Sequence, residues 1–434
     1  MLDAFPFSHK HNSSHHSVAA LADTLWCDLP IDKSRKSVLK QKCLTAVLVN
    51  LWLSMQTTEY IAYARHKAYY AAIPTRYRVA YNTYNIMCGV IDGLHAMGLV
   101  DSVKGFKNPI DGYGVLTKIK PTDEAIKFLK PVIAEMIHDQ QPPELLIVKD
   151  RATKTKLDYA DNQTLTAMRR QLLEYNRLRQ SAAFTLSGVT EADEANHKRF
   201  FKLFGVTGAE SVWTLRNPFM FRSFNDDFEH GGRYYNGIES QMPKAIRKKL
   251  HINGAPAVEL DYGSMHIRML YHLENKRIKG NVYDDLAGGD PMLRQLYKLI
   301  ALVSINSGSL GEALAAIRSE LVSDKRELLV TTPDITDPGL RLHYDRWLKA
   351  HSAIAKYFNS DIGVKLQYYD AVIASGIIKH FTDKSVPVLV VHDSFMIEDK
   401  YEAELKSIMI REYMKVMKHK TNNITSYKSV FIYN

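Results

Sequence analysis

Two aspartates stand where apolar runs end. In "PAVELDYGSMHIRML" an apolar stretch delivers Asp261, then a Tyr-Gly-Ser turn, then helical periodicity. In "VPVLVVHDSFMIED" the run beginning at Val386 passes straight into His392, Asp393 and Ser394 before turning apolar again. A buried charge is costly unless it is paired or binds a metal. If the two strands are neighbours in one sheet, their carboxylates meet at one edge. Bare, they repel, and one is forced to take up a proton; divalent cations remove that penalty. Mg²⁺ favours hard carboxylate oxygens and keeps positions open for water and phosphate. A pair of ions about 3.5–4 Å apart can activate an attacking hydroxyl and stabilise the leaving oxygen of an in-line displacement. Turn or cap duty is the plain alternative for either aspartate alone.

A third stretch, "DPMLRQLYKLIALVSINSGS", places Arg294 and Lys298 four residues apart on one helix face, with Asn306, Ser307 and Gly308 two turns later. Like charges at that spacing repel by a few tenths of a kcal/mol. A surface helix gains nothing from that, whereas a bound triphosphate makes both cations favourable.

In this order, these segments resemble the superfamily that contains the family A DNA polymerases and the single-subunit, phage-type RNA polymerases. "LDYGSMHIRMLYHL" resembles the first motif of the DNA enzymes, "RQLYK…NSG" their fingers helix, and "VHDSF" the last motif in its RNA polymerase form. "EHGGRYYNG" is similar to the Gly-Arg segment of the RNA polymerases, and "KLQYYDAVIASGIIKHF" to the helix before the catalytic hairpin. The resemblance covers roughly residues 220 to 400. It implies an α+β fold: a right-hand palm with an antiparallel sheet, helical fingers and a helical thumb.

The resemblance also implies roles. Asp261 and Asp393 would hold two Mg²⁺ ions, with Mn²⁺ able to substitute. Arg294 and Lys298 would hold the incoming nucleoside triphosphate, and Lys298 would also protonate the leaving pyrophosphate. His266 and Asn306 would lie beside the nucleotide. Arg233, Tyr234, Gln367 and His392 would contact the DNA template and primer; Tyr234 and Tyr235 could stack on bases or equally belong to the core. Arg268 would be structural.

Where the DNA enzymes carry an acid after the second metal aspartate, this chain has Ser394, and where they carry a steric-gate glutamate it has His266. A bulky His266 favours deoxynucleotides, while Ser394 and Gly232-Arg233 lean toward the RNA enzymes. No acidic exonuclease constellation occurs upstream. The expected activity is therefore a DNA polymerase without proofreading. Its alternatives are a compact DNA-directed RNA polymerase or primase starting chains de novo, a non-catalytic DNA-binding protein with a decayed palm, and a nuclease using the same carboxylates.

Four segments are expected to organise these residues: a poorly ordered N-terminus (1–35), a mostly helical winged-helix-like DNA-binding part (36–145), a thumb-like helical region (150–215), and palm with short fingers (216–434). The second is read from "YNIMCGVIDGLHAMGLVD", "SVKGFKN", "YGVLTKIKP" and "PTDEAIKFLKP", a helix–hairpin–helix pattern with Thr122 as N-cap and Lys104, Lys107, Lys118 and Lys120 around the hairpin. Pro142-Pro143 and "VKDRATKTK" suggest a linker near 140–155. The chain is 434 residues with Lys and Arg exceeding Asp and Glu by 57 to 47, an excess that suits a polyanionic partner. Cys27, Cys43 and Cys88 lack metal-ligand spacing and fit small core residues in a reducing cytoplasm. "LTAVLVNLWLSM" is the longest apolar run, too short to span a bilayer, and reads as a core helix. The opening "MLDAFPFSHKHNSSHHS" lacks the marks of a secretory signal, and its His9, His11, His15 and His16 read as part of a polar tail.

Overall fold

The structure, a computed structural model, describes residues 4–57, 60–107, 114–132, 136, 138–139, 142–207, 212–215, 217–278, 280–418 and 432–433. It is an α+β chain forming two compact units. One comprises residues 1–147, 154–221 and 235–257; the other comprises 148–153, 222–234 and 258–434.

The first unit is built around the helix Ser37–Thr57. Its stretch from Cys43 to Leu53 is apolar on nearly every side, and a helix apolar all round must be buried; Leu44, Val47, Leu51 and Trp52 are. None of the described helices is long and apolar enough to cross a membrane. Asn50 is a fully buried polar residue on this helix, and its amide is satisfied. Its amide accepts from the Ser8 backbone N–H (3.0 Å) and donates to the Ser8 carbonyl (2.9 Å) and the Ala46 carbonyl (2.8 Å).

That tie helps to explain why residues 4–35, within the span 1–35 expected to be poorly ordered, are not the loose tail the composition suggests. Ala4–Pro6 pairs in parallel with Tyr60–Tyr63, and His16–Asp28 is a helix whose Val18, Ala22 and Leu25 face the core. Four-residue and three-residue spacing of these apolar residues is enough to dock it. Of the three cysteines, Cys43 and Cys88 are buried, but Cys27 is exposed.

The expected helix–hairpin–helix pattern maps onto the helix Tyr84–Ala96, strands Val100–Val103 and Thr117–Pro121, and the helix Asp123–Leu129. The two strands pair with each other, and the second also pairs with Tyr60–Tyr63. Thr122 caps its helix by accepting from the Ala125 N–H (3.3 Å). Lys104 and Lys120 are exposed. The hairpin tip, 108–113, and the side chain of Lys107 lie outside the described residues.

Two expectations need correction. The supposed linker contains the strand Leu146–Lys149, whose first three residues are buried. The region 150–215 is not purely helical. After the helix Gln163–Ser181 it contributes strands Phe184–Leu186, Gly205–Thr207 and Trp213–Leu215 to an antiparallel ladder that continues through Leu250–Ile252. These strands are too short to show alternation, so their pairing is set by partners distant in the chain. The pair Arg179–Glu239 fastens this part. Both side chains are fully buried and join through two hydrogen bonds of 2.8 and 3.0 Å.

The second unit holds the end of strand Ala255–Tyr262, the hairpin Val388–Val391 with Ser394–Glu398, and the long helices that cover them. Chief among these are Met265–Leu273, Pro291–Asn306, Gly363–Asp383 and Glu402–Lys418. Their core includes Leu260, Val388, Leu389, Phe395 and Met396.

Replacing Glu239 with Gln strands a buried guanidinium and should destabilise the fold by about 3 kcal/mol, read from urea unfolding. A second expectation concerns acid. Burial holds the rings of His9, His272 and His351 down at about 4. A folded-state value below the unfolded one means the unfolded chain takes up protons first. Stability should be full above about pH 6.5 and fall as pH drops from there toward 4, checked by denaturant midpoints across that window.

Candidate functional site

At the end of strand Ala255–Tyr262 the side chains alternate: Leu260 and Tyr262 are buried, and Asp261 between them is exposed. Tyr262 anchors the strand, its hydroxyl donating to the Met409 carbonyl (2.6 Å) and its ring lying between those of Phe395 and Tyr413. The chain then turns through Gly263 and Ser264, the latter at a left-handed φ of 53°. Buried Arg268 clamps the turn. Its Nε donates to the Gly263 carbonyl (2.8 Å), and its other nitrogens donate to the carbonyls of Ile278 (3.3 Å) and Gly280 (2.5 Å). Its expected structural role takes this form, directed at backbone carbonyls.

Asp393 sits in a two-residue hairpin turn. Val391 pairs with Ser394, so His392 and Asp393 make the reversal, and His392 has a positive φ of 58° as primed hairpin turns require at their first position. The Asp393 carbonyl accepts from the Tyr262 backbone N–H (3.2 Å). The two aspartates are thereby brought to adjacent strand ends. A second tie lies beside it: the Ser394 hydroxyl donates to Glu259 Oε1 (2.6 Å). Glu259 was not among the sequence candidates, although its position two residues before Asp261 puts it on the same strand face.

Asp261 and Asp393 line a cleft of about 410 Å³ together with Arg294, Lys298, His266 and Asn306; Arg233, Gln367 and His392 also border it. The helix Pro291–Asn306 supplies the cations. Asp290 caps it by accepting from the N–H groups of Met292 (2.8 Å) and Leu293 (3.2 Å), and Pro291 occupies its first turn. Leu296, Tyr297 and Ile300 bury one face, leaving Arg294, Lys298 and Leu302 in a row on the other. Arg294 pairs with Asp284 (3.0 Å) and lies over the Tyr283 ring (5.5 Å). Lys298 is exposed and forms no ion pair among the described residues. Asn306 donates to the Leu302 carbonyl (2.7 Å), and its Oδ1 lies so close to Gly363 that a Cβ there would approach it to 2.0 Å.

Behind the cleft lies a residue that the sequence reading did not single out. Asp370, buried on the helix Gly363–Asp383, accepts from Arg233 Nε (3.0 Å to Oδ2) and Nη2 (2.5 Å), and pairs with His266 Nε2 (2.8 Å). Burial opposes its ionisation, but hydrogen bonding from His266 and the Arg233 charge prevail and hold its carboxyl below the usual range. A lone acid in an apolar helix, as in "YYDAVIA", is the signal that could have marked it. His392 is held below its ordinary value, first by burial and then by Arg233.

Tyr234 does not border the cleft. In strand Gly231–Tyr235 it alternates with Arg233, is buried, and has its hydroxyl on Ser375 Oγ (2.9 Å). Stacking on a base is closed to it and its place is in the core, which corrects its expected contact with DNA.

No family model matches the chain, and no curated protein is significantly similar to it in sequence.

Changing Asp370 to Asn removes the counter-charge of half-buried Arg233 while keeping shape. A loss of about 2–3 kcal/mol is expected in urea denaturation at pH 7. Because the Asp370 carboxyl is depressed in the folded state, its contribution is present above the unfolded value near 3.9 and fades as pH falls through the lower folded value; the variant's deficit should shrink correspondingly.

Proposed function

We propose that this chain is a template-directed nucleotidyltransferase: a DNA polymerase without proofreading exonuclease, extending a 3′-OH on a DNA template and primer. The observation that carries the reading is the convergence of Asp261, Asp393, Arg294 and Lys298 from three separate chain segments on one cleft. In this reading the sheet end bearing the aspartates is a palm, and the helix Pro291–Asn306 belongs to short fingers. The region 150–215 acts as a thumb, and the Lys-bearing helix–hairpin–helix holds DNA.

The donor set fits Mg²⁺, with Mn²⁺ as substitute. Asp261 is exposed, Asp393 is half-exposed, and each offers carboxylate oxygens. Among the described residues no group of three or more His, Cys, Asp or Glu could hold an ion. Two carboxylates with remaining positions left to water and phosphate match how Mg²⁺ is bound beside nucleotides. Bound there, the ions would lower the pKa of the 3′-hydroxyl and neutralise charge on the transferring phosphoryl group.

The chain's own residues do the rest. Lys298 Nζ holds the triphosphate and donates a proton to the departing pyrophosphate. Arg294 exchanges Asp284 for phosphate at little cost, since an exposed pair is worth about 1 kcal/mol or less. His266, fixed by Asp370, presents rigid bulk beside the sugar, which favours deoxynucleotides. Arg233 serves His266 and Asp370 as a positioning residue, and Gln367 and His392 face the primer terminus. Catalysis is then positioning and charge neutralisation, the main levers for phosphoryl transfer.

Primer extension with dNTPs, with Mg²⁺ or Mn²⁺, tests this. Asp261→Ala and Asp393→Ala should each lower incorporation by at least about a thousandfold, with DNA affinity changed only severalfold. Incorporation that persists in either variant removes the assigned metal site. Primer-independent incorporation of rNTPs alone makes the chain an RNA polymerase or primase. DNA binding without incorporation makes it non-catalytic, and strand cleavage makes it a nuclease.

A further inference from the structure

The first unit contains a larger cavity, of about 800 Å³, within the range of small-molecule sites. Its wall is mainly apolar and aromatic. Phe7, His9, Tyr69 and Tyr77 contribute rings, and Ile73 and Pro74 fill in between. Phe7 and His9 lie 4.8 Å apart between ring centroids. Tyr77 is buried and carries Lys156 Nζ 5.0 Å above its ring. Such a wall suits a flat aromatic ligand.

The charge at this cavity is one-sided. Lys10, Arg78, Lys154 and Lys156 border it, and Lys154 and Lys156 are exposed. The one bordering carboxylate, Glu144, is saturated. It accepts from the N–H groups of Leu145 (2.8 Å) and Leu146 (2.9 Å), and pairs with Arg169 (3.0 Å) and Arg76 (3.2 Å). Arg76 also takes up Asp158 (3.0 Å) and Asp161 (3.2 Å). The three nearby acids are held by two arginines that do not border the cavity, which leaves one negative charge against four bordering cations, and the cations are in excess. Arg78 and Lys154 pair with no carboxylate among the described residues. An anion is the complement this arrangement lacks.

A polar handle completes the site. His9 Nδ1 is buried without a hydrogen-bond partner, while Asn82, on the same cavity, hydrogen-bonds the His9 side chain. Burial keeps the His9 ring neutral at pH 7, so it can meet either a donor or an acceptor on a heterocycle.

We propose that this cavity binds a nucleotide, its base among the rings of Phe7, His9 and Tyr77 and its phosphate on Lys154 and Lys156. The site is separate from the aspartate cleft and needs no metal. It stands whether or not the chain is a polymerase. Two sources could supply that chemistry, a free nucleotide or one nucleotide of a nucleic-acid strand.

The test uses the full chain in EDTA and 2-aminopurine deoxyriboside 5′-monophosphate, whose fluorescence is quenched on stacking. Saturable quenching is expected. It should weaken at least about tenfold in the double variant Lys154→Ala/Lys156→Ala and likewise in Ala72→Trp, which blocks the cavity from an exposed lining position. Thermal unfolding confirms that both variants fold. Quenching should be unchanged in the double variant Arg294→Ala/Lys298→Ala, which removes the cations that would hold a nucleotide in the aspartate cleft and so separates the two sites. A short oligothymidylate with one internal 2-aminopurine distinguishes the sources: tighter binding than the mononucleotide assigns the site to a strand, equal or weaker binding to free nucleotide. No saturable quenching, or quenching equally strong in both cavity variants, overturns the proposal.

Discussion

Everything at the cleft depends on two strand ends being held side by side, so that Asp261 and Asp393 line one pocket. What holds them there is burial immediately behind. Leu260, Val388, Leu389 and Phe395 are all buried, and each fully buried side chain of this kind contributes about 1.5–3 kcal/mol. The hydrogen bond from the Tyr262 N–H to the Asp393 carbonyl, together with the pairing of their two strands in one sheet, then sets where the strand ends meet. Hydrophobic burial provides the energy, and backbone pairing provides the geometry.

The cations divide in a way that follows from their burial. Arg268 is buried and committed to backbone carbonyls, and Arg233 is committed to buried Asp370. Removing a buried partner is expensive, so neither arginine is readily available to a ligand. Arg294 and Lys298 are the opposite case. One holds only an exposed ion pair and the other holds none among the described residues. Two like charges kept in a row and loosely held are poor structure and good anion binders. Buried guanidiniums build the cleft here, while solvated cations remain available to what enters it.

The same distinction explains what the sequence could disclose. Asp261, Asp393, Arg294 and Lys298 were legible because each depends on a local pattern: an apolar run that ends in an acid, or two cations one helical turn apart. Asp370 and Glu259 were not, because an acid inside an apolar segment acquires meaning only from partners more than a hundred residues away. For Tyr234 both base stacking and a place in the core were open, although the information to choose the core was present. In an alternating strand it must face away from Arg233, so the two could not both reach one surface. The strands within 150–215 and the docked helix His16–Asp28 escaped notice for a further reason. Three-residue strands carry weak periodicity and pairing decides their state, while the helix is apolar at most positions but follows a stretch rich in His, Asn and Ser that masks it.

Both turns next to the aspartates pass through left-handed backbone at a residue other than glycine: Ser264 at φ 53° and His392 at φ 58°. That conformation costs an L-residue about 1–2 kcal/mol and persists only where its surroundings over-determine it. Here they do. Arg268 holds the Gly263 carbonyl one residue before Ser264, and the Val391–Ser394 pairing together with the Tyr262–Asp393 bond closes the turn around His392. Glycine would relieve the strain at His392 but would remove a ring that borders the cleft beside Asp393. Nine other described non-glycine residues share this left-handed backbone, so the strain by itself marks tight turns; what sets Ser264 and His392 apart is that both border the cleft.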